Sequence, residues 1–120
     1  MAEQGYTIVH VGECERNGRW SLLRRSLGVR SFGLNVVELE PGYTLPEHDE
    51  RGRDQEEVFV VLAGSPTMVI EGADHPAPAG TYVRVEPTLR RTMRNDGAGP
   101  ATVLIVSAPS TSGYEPMSWA

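Results

Sequence analysis

Apolar residues along this chain come in short runs, each cut off by glycine or proline. The runs Thr7 to Val11, Trp20 to Leu23, Phe32 to Glu40, Val58 to Leu62, Thr67 to Glu71, Thr81 to Val85, Thr92 to Asn95 and Ala101 to Val106 favour β-branched and aromatic residues and predict strands. Between them lie "EPG", "AGSP", "EGADHPAPAG", "EPTLRR" and "NDGAGP", which supply the positive or preset φ angles that turns require. No amphipathic pattern of helix length survives this punctuation, and only Ser21 to Leu27 is suited to a short turn of helix. The class is all-β. Short antiparallel strands in so small a chain close into a sandwich or a barrel, which removes exposed sheet edges.

Side chains alternate across a strand, so the run "EVFVVL" can be sorted by parity. Val58, Val60 and Leu62 face one way, and Glu57, Phe59 and Val61 the other; Val103 and Ile105 oppose Leu104 and Val106 in the same manner. Both faces are apolar, whereas one barrel interior covers only one of them. The outer face calls for a cover, and a second copy of the chain in a homodimer is the expected one.

Composition narrows the classes of function. A chain of 120 residues makes one domain, 1–120, that buries roughly two thirds of its unfolded surface. The formal net charge of -5 speaks against nucleic acid or an anionic membrane as partner. Cys14 is the only cysteine, so no internal disulfide forms and a reducing, cytoplasmic setting is expected. The opening "MAEQGYTIVH" has an early glutamate and no sustained apolar run, unlike a secretory signal. All eleven basic residues are arginines; without a lysine there is no Schiff-base chemistry. No phosphate-cradling glycine loop, paired-cysteine motif or nucleophile elbow is present.

The stretch "PEHDERGRDQEEVFVVLAG" carries the densest candidate chemistry. A lone histidine followed by acidic residues reads first as solvated surface. The spacing adds to this: Gly42 is followed after five residues by His48, and Glu57 after six by Gly64. This pattern resembles the first motif of the cupin superfamily, with Glu50 standing where a second histidine belongs. Further on, Gly80 and Asn95 match the ends of the second cupin motif. Between them Glu86 and Thr88 replace its proline and glycine, and Arg91 replaces its metal-binding histidine. The resemblance covers about Gly33 to Val106. It implies a cupin-type double-stranded β-helix, or jelly roll, closed as a small barrel with its site in the barrel mouth.

On that footing His48 and Glu50, two residues apart on an extended segment, share a face. They converge with Glu57 and Arg91, and Phe59 and Met93 line the same pocket. His48, Glu50 and Glu57 offer a facial ligand set for a divalent metal, Fe, Mn or Zn. Arg91 in a ligand position opposes metal retention and suits an anion, which a guanidinium grips at two points. Two readings follow. In the first, the pocket binds a small polar or anionic metabolite without a complete metal site. In the second, a metal-dependent isomerase or dioxygenase uses the His/Glu/Glu set, with Arg91 as substrate anchor. Residues 51–56 read as a rim loop able to serve as a lid. His10 and His75 read as structural or surface histidines.

Overall fold

Glycine and proline divide the described residues into nine strands and one short helix. The structure, a computed structural model, describes residues 5–120; the early glutamate of the N-terminal reading lies outside the described residues. The strands are β1 (Arg16–Asn17), β2 (Trp20–Ser21), β3 (Gly33–Leu39), β4 (Gln55–Ala63), β5 (Thr67–Ile70), β6 (Ala73–Pro76), β7 (Tyr82–Val85), β8 (Arg91–Arg94) and β9 (Ala101–Pro109). Helix α1 (Leu23–Leu27) lies between β2 and β3. All strand pairings are antiparallel. Six strands form one sheet in the order β1-β2-β3-β9-β4-β7, and β6-β5-β8 form a second. No described helix is long and apolar enough to cross a membrane.

The alternation in the sequence decides what the sheets bury. Val37 and Leu39 of β3, Phe59 and Val61 of β4, and Val103 of β9 project from the first sheet into a single core, where they meet Met68 of β5 and Met93 of β8 from the second. The parity assigned to β4 holds, with Glu57 on the interior side together with Phe59 and Val61. β4 and β9 pair from Gln55 with Pro109 to Val61 with Val103, which makes them the backbone of the larger sheet. At the end of β4, Gly64 takes φ +86°, and a Cβ there would lie 2.6 Å from the carbonyl oxygen of Pro100. Only glycine fits that crossing.

Several sequence expectations change. Thr7 to Val11 is not a strand: it runs without a ladder partner into a 3-10 turn at Val11–Glu13, with Ile8 exposed to solvent. His10 caps that turn, its Nδ1 accepting the Gly12 N–H at 2.9 Å. The expected strand Trp20 to Leu23 stops at Ser21, where the chain enters α1. The turn-forming sequence "ADHP" instead adds β6, an exposed edge strand carrying His75 and tied by Asp74 to Arg94 of β8 at 2.7 Å. The rim loop is shorter than 51–56, because β4 already begins at Gln55.

The outer face of the large sheet keeps apolar groups in water. Leu62 is exposed and Tyr82 is 72% exposed, and Phe32 and Tyr114 border a shallow depression over Val106 and Ala108.

Candidate functional site

Three pieces of backbone bring the candidate residues together. The segment around Leu45 to His48 lies beside β8: the His48 N–H donates to the Arg91 carbonyl at 3.1 Å, and the Arg91 N–H to the His48 carbonyl at 2.8 Å. Two residues on, the Glu50 N–H donates to the Pro87 carbonyl at 2.8 Å, which holds Glu50 over the same end of the barrel. β4 then enters with Glu57 facing inward. The inner positions of β4, β8 and the 48–50 segment thus point at one volume.

Within it, His48 Nε2 lies 2.8 Å from Glu50 Oε2 and 3.9 Å from Glu57 Oε1. Arg91 has no solvent exposure; its Nη1 donates to Glu57 Oε1 at 3.2 Å and its Nη2 to the Glu86 carbonyl at 2.6 Å. Its Nε is the one buried side-chain polar atom among the described residues that has no hydrogen-bond partner. A buried donor left unpaired costs about 1–3 kcal/mol, so this guanidinium is short of one acceptor. Glu57 is 7% exposed. Burial first, and the Glu50 charge second, push its carboxyl above the ordinary range, while Arg91, His48 and Arg53 pull it back.

Arg53 is the partner that sequence reasoning missed. Its Nε and Nη2 both donate to Glu50 Oε1, at 3.0 and 2.8 Å, although its side chain is 73% exposed. The segment "ERGRDQ" signalled a solvated turn, and only its three-residue offset from Glu50 could have suggested the pairing. The turn is anchored on both sides, by Arg51 Nη2 donating to the Thr88 carbonyl at 2.8 Å and by the Ser110 hydroxyl donating to Asp54 at 2.7 Å.

These charges ring the mouth of a cavity of about 320 Å³. That is the low end for a small-molecule site. Its walls are apolar, formed by Trp20, Leu34, Leu45, Phe59 and Ile105, with Asn35 and Ser107 as polar points on the β3 and β9 side. Gly33, paired with Ser107, leaves room for that hydroxyl, because a Cβ at Gly33 would collide with it. Phe59 lines the cavity. Met93 does not: it faces inward but is wholly buried in the core and absent from the wall. Trp20 of β2 forms part of the wall.

The donor types of His48, Glu50 and Glu57 suit Fe, Mn or Zn, and one ligand atom from each lies within 4.8 Å of the others. Their present engagement does not suit a resident ion. At 2.8 Å from a carboxylate oxygen, His48 Nε2 is already engaged by Glu50. Both carboxylates are already paired with guanidiniums. A metal would have to displace Glu50 from His48 and share Glu57 with a buried cation.

The cupin domain model matches residues 35–107, more than half of the chain, and the protein belongs to the cupin family. The solved structures place it among small jelly-roll barrels. A cupin protein from Bacteroides fragilis is 21% identical with a TM-score of 0.80, over 96% of this chain and 92% of that one. A sugar phosphate isomerase of the cupin superfamily from Silicibacter pomeroyi is 23% identical with a TM-score of 0.72, over 87% and 76%. A predicted oxalate decarboxylase from Thermotoga maritima is 21% identical with a TM-score of 0.60, over 64% and 65%. At such identities the likeness is one of fold. No curated protein matches the sequence.

Proposed function

We propose that this cupin is a receptor for a small polar or anionic metabolite, held in the barrel mouth without a resident metal. The observation that carries the reading is Arg91. A fully buried guanidinium with an unpaired Nε lines a cavity with apolar walls, and it is paired with one of the carboxylates a metal would need. His48, Glu50, Glu57 and Arg91 are the contact set, Arg53 closes the mouth, and Phe59 packs against the ligand body. A second copy over the Leu62 and Tyr82 face would leave the mouth free, and a homodimer is the assembly proposed.

Metal analysis of protein purified without chelator is the direct test. The expected result is less than a tenth of an equivalent of Fe, Mn or Zn. One equivalent that disappears in a Glu57→Ala variant would overturn the reading.

The convergence of His48, Glu50 and Glu57 supports a second reading, a metal-dependent isomerase or dioxygenase. In that reading the three side chains hold the ion, which supplies Lewis-acid or redox chemistry, and Arg91 orients an anionic substrate. It requires a large rise in melting temperature with added Fe(II) or Mn(II), since binding to the folded state alone stabilises by mass action. A flat response to the common divalent ions would count against it.

A further inference from the structure

The pocket's charges close on themselves. Glu50 is matched by Arg53 and Glu57 by Arg91, so with both carboxylates ionised the group sums to zero before any ligand arrives. A simple anion entering here meets two guanidiniums and two carboxylates, and much of the attraction cancels against repulsion. A simple cation meets the same balance with the signs reversed.

Hydrogen bonding is less evenly matched. Arg53, exposed at the mouth, gives its Nε and Nη2 to a single oxygen of Glu50 and keeps Nη1 as a further donor. Among the described residues Glu57 accepts through Oε1 from Arg91, which leaves its other oxygen for an incoming donor. The occupant must therefore bring an acceptor and a donor at once and add no net charge. Its remainder must be apolar, because Trp20, Leu45, Phe59 and Ile105 form the wall.

Resting on the reading of this cavity as a small-molecule site, we propose that its ligand is a small zwitterion: one ammonium and one carboxylate on an apolar body, as in a free α-amino acid with an aromatic or branched side chain. The ligand carboxylate accepts from Arg53, and its ammonium donates to Glu57 and Glu50. Arg53 follows the carboxylate. Exposed as it is, it can leave Glu50 when the ammonium takes its place, so that one ion pair opens and two form.

Titration calorimetry with three matched probes tests this: L-phenylalanine, 3-phenylpropanoate, which lacks the ammonium, and 2-phenylethylamine, which lacks the carboxylate. The zwitterion is expected to bind at least tenfold tighter than either half. Arg53→Gln, on the surface and expected to fold normally, should weaken L-phenylalanine at least fivefold. Glu57→Gln should reverse the preference toward 3-phenylpropanoate, since it leaves one guanidinium unbalanced. Equal or tighter binding of 3-phenylpropanoate to the unmodified protein would overturn the proposal while leaving the small-molecule reading intact. The same holds if L-phenylalanine and L-leucine fail while a dicarboxylate or sugar phosphate binds and loses affinity in Arg53→Gln. If none of these compounds binds, both the proposal and the reading it rests on fail.

Discussion

Replacing Arg91 with methionine keeps an unbranched apolar stem and removes the charge, which leaves Glu57 as a carboxylate at 7% exposure facing an apolar wall. Breaking a buried pair in this way costs about 3–5 kcal/mol where the stranded charge has no escape. Glu57 does have one, because it can take a proton. From its reference value of 4.5, protonation at pH 7 costs about 3.4 kcal/mol, and at pH 5 only about 0.8 kcal/mol. The ion-pair part of the loss is thus capped by pH, and the lost bond to the Glu86 carbonyl adds about 1 kcal/mol at any pH. The sign follows from linkage: a carboxyl raised in the folded state favours folding below its unfolded value and penalises it increasingly as pH rises toward the folded value. Arg91→Met should therefore lose up to about 4 kcal/mol at pH 7, or about 16 °C in Tm for a chain of this length, and about half of that or less at pH 5. Urea denaturation of the wild type and variant at both pH values measures the difference. Adding Glu57→Gln to Arg91→Met should recover most of the loss at pH 7. A loss that is the same at both pH values, or that the second substitution fails to relieve, would refute the account of Arg91 as the counter-ion of Glu57.

Other consequences are open to simpler measurements. Asn95 is fully buried; its Nδ2 donates to the Leu39 and Gly99 carbonyls and its Oδ1 accepts the Gly97 N–H, so Asn95→Ala should cost about 2–4 kcal/mol by urea denaturation. A loss below 1 kcal/mol would show that water replaces those bonds. Gly64→Ala must place a Cβ against Pro100 and Ala101 at positive φ, and should lose more than about 2 kcal/mol or fail to fold, whereas Gly72→Ala, with the same sign of φ and open space around it, should lose less. Arg94 holds the Asp74 carboxyl below the ordinary carboxylate range, so the support this pair gives β6 is present at neutral pH and lost as pH falls through that lowered value. In an NMR titration Arg94→Gln should return Asp74 toward the ordinary value; an unchanged Asp74 would separate the shift from the ion pair.

The legible parts of this protein were those where one face of a strand is buried. The alternation in "EVFVVL" placed Glu57 on the Phe59 and Val61 side, and the burial of that side fixes the register. The inward direction of Arg91 follows from the same rule on β8, where it shares parity with Met93. Depth was not legible: parity cannot tell that Met93 lies below the cavity floor and Arg91 beside its mouth. β6 was missed because all four of its side chains are exposed and its sequence is one of turn formers; only pairing with β5 makes it a strand. Thr7 to Val11 shows the converse, a β-like composition that pairs with no strand. Arg53 escaped notice because its role depends on a turn that folds it back onto Glu50.

The mutual backbone bonds between His48 and Arg91 have a consequence for the history and the redesign of such barrels. Residues joined in this way keep their side chains on neighbouring tracks whatever those side chains are, so the scaffold is indifferent to the chemistry mounted on it. Arg91→His would set a second imidazole beside the first and free Glu57 from its cation, giving two nitrogen and two carboxylate donors in place of a neutral ion-paired ring. A metal-free receptor and a metal centre would then be neighbours in sequence space, one codon-sized step apart on an unchanged backbone.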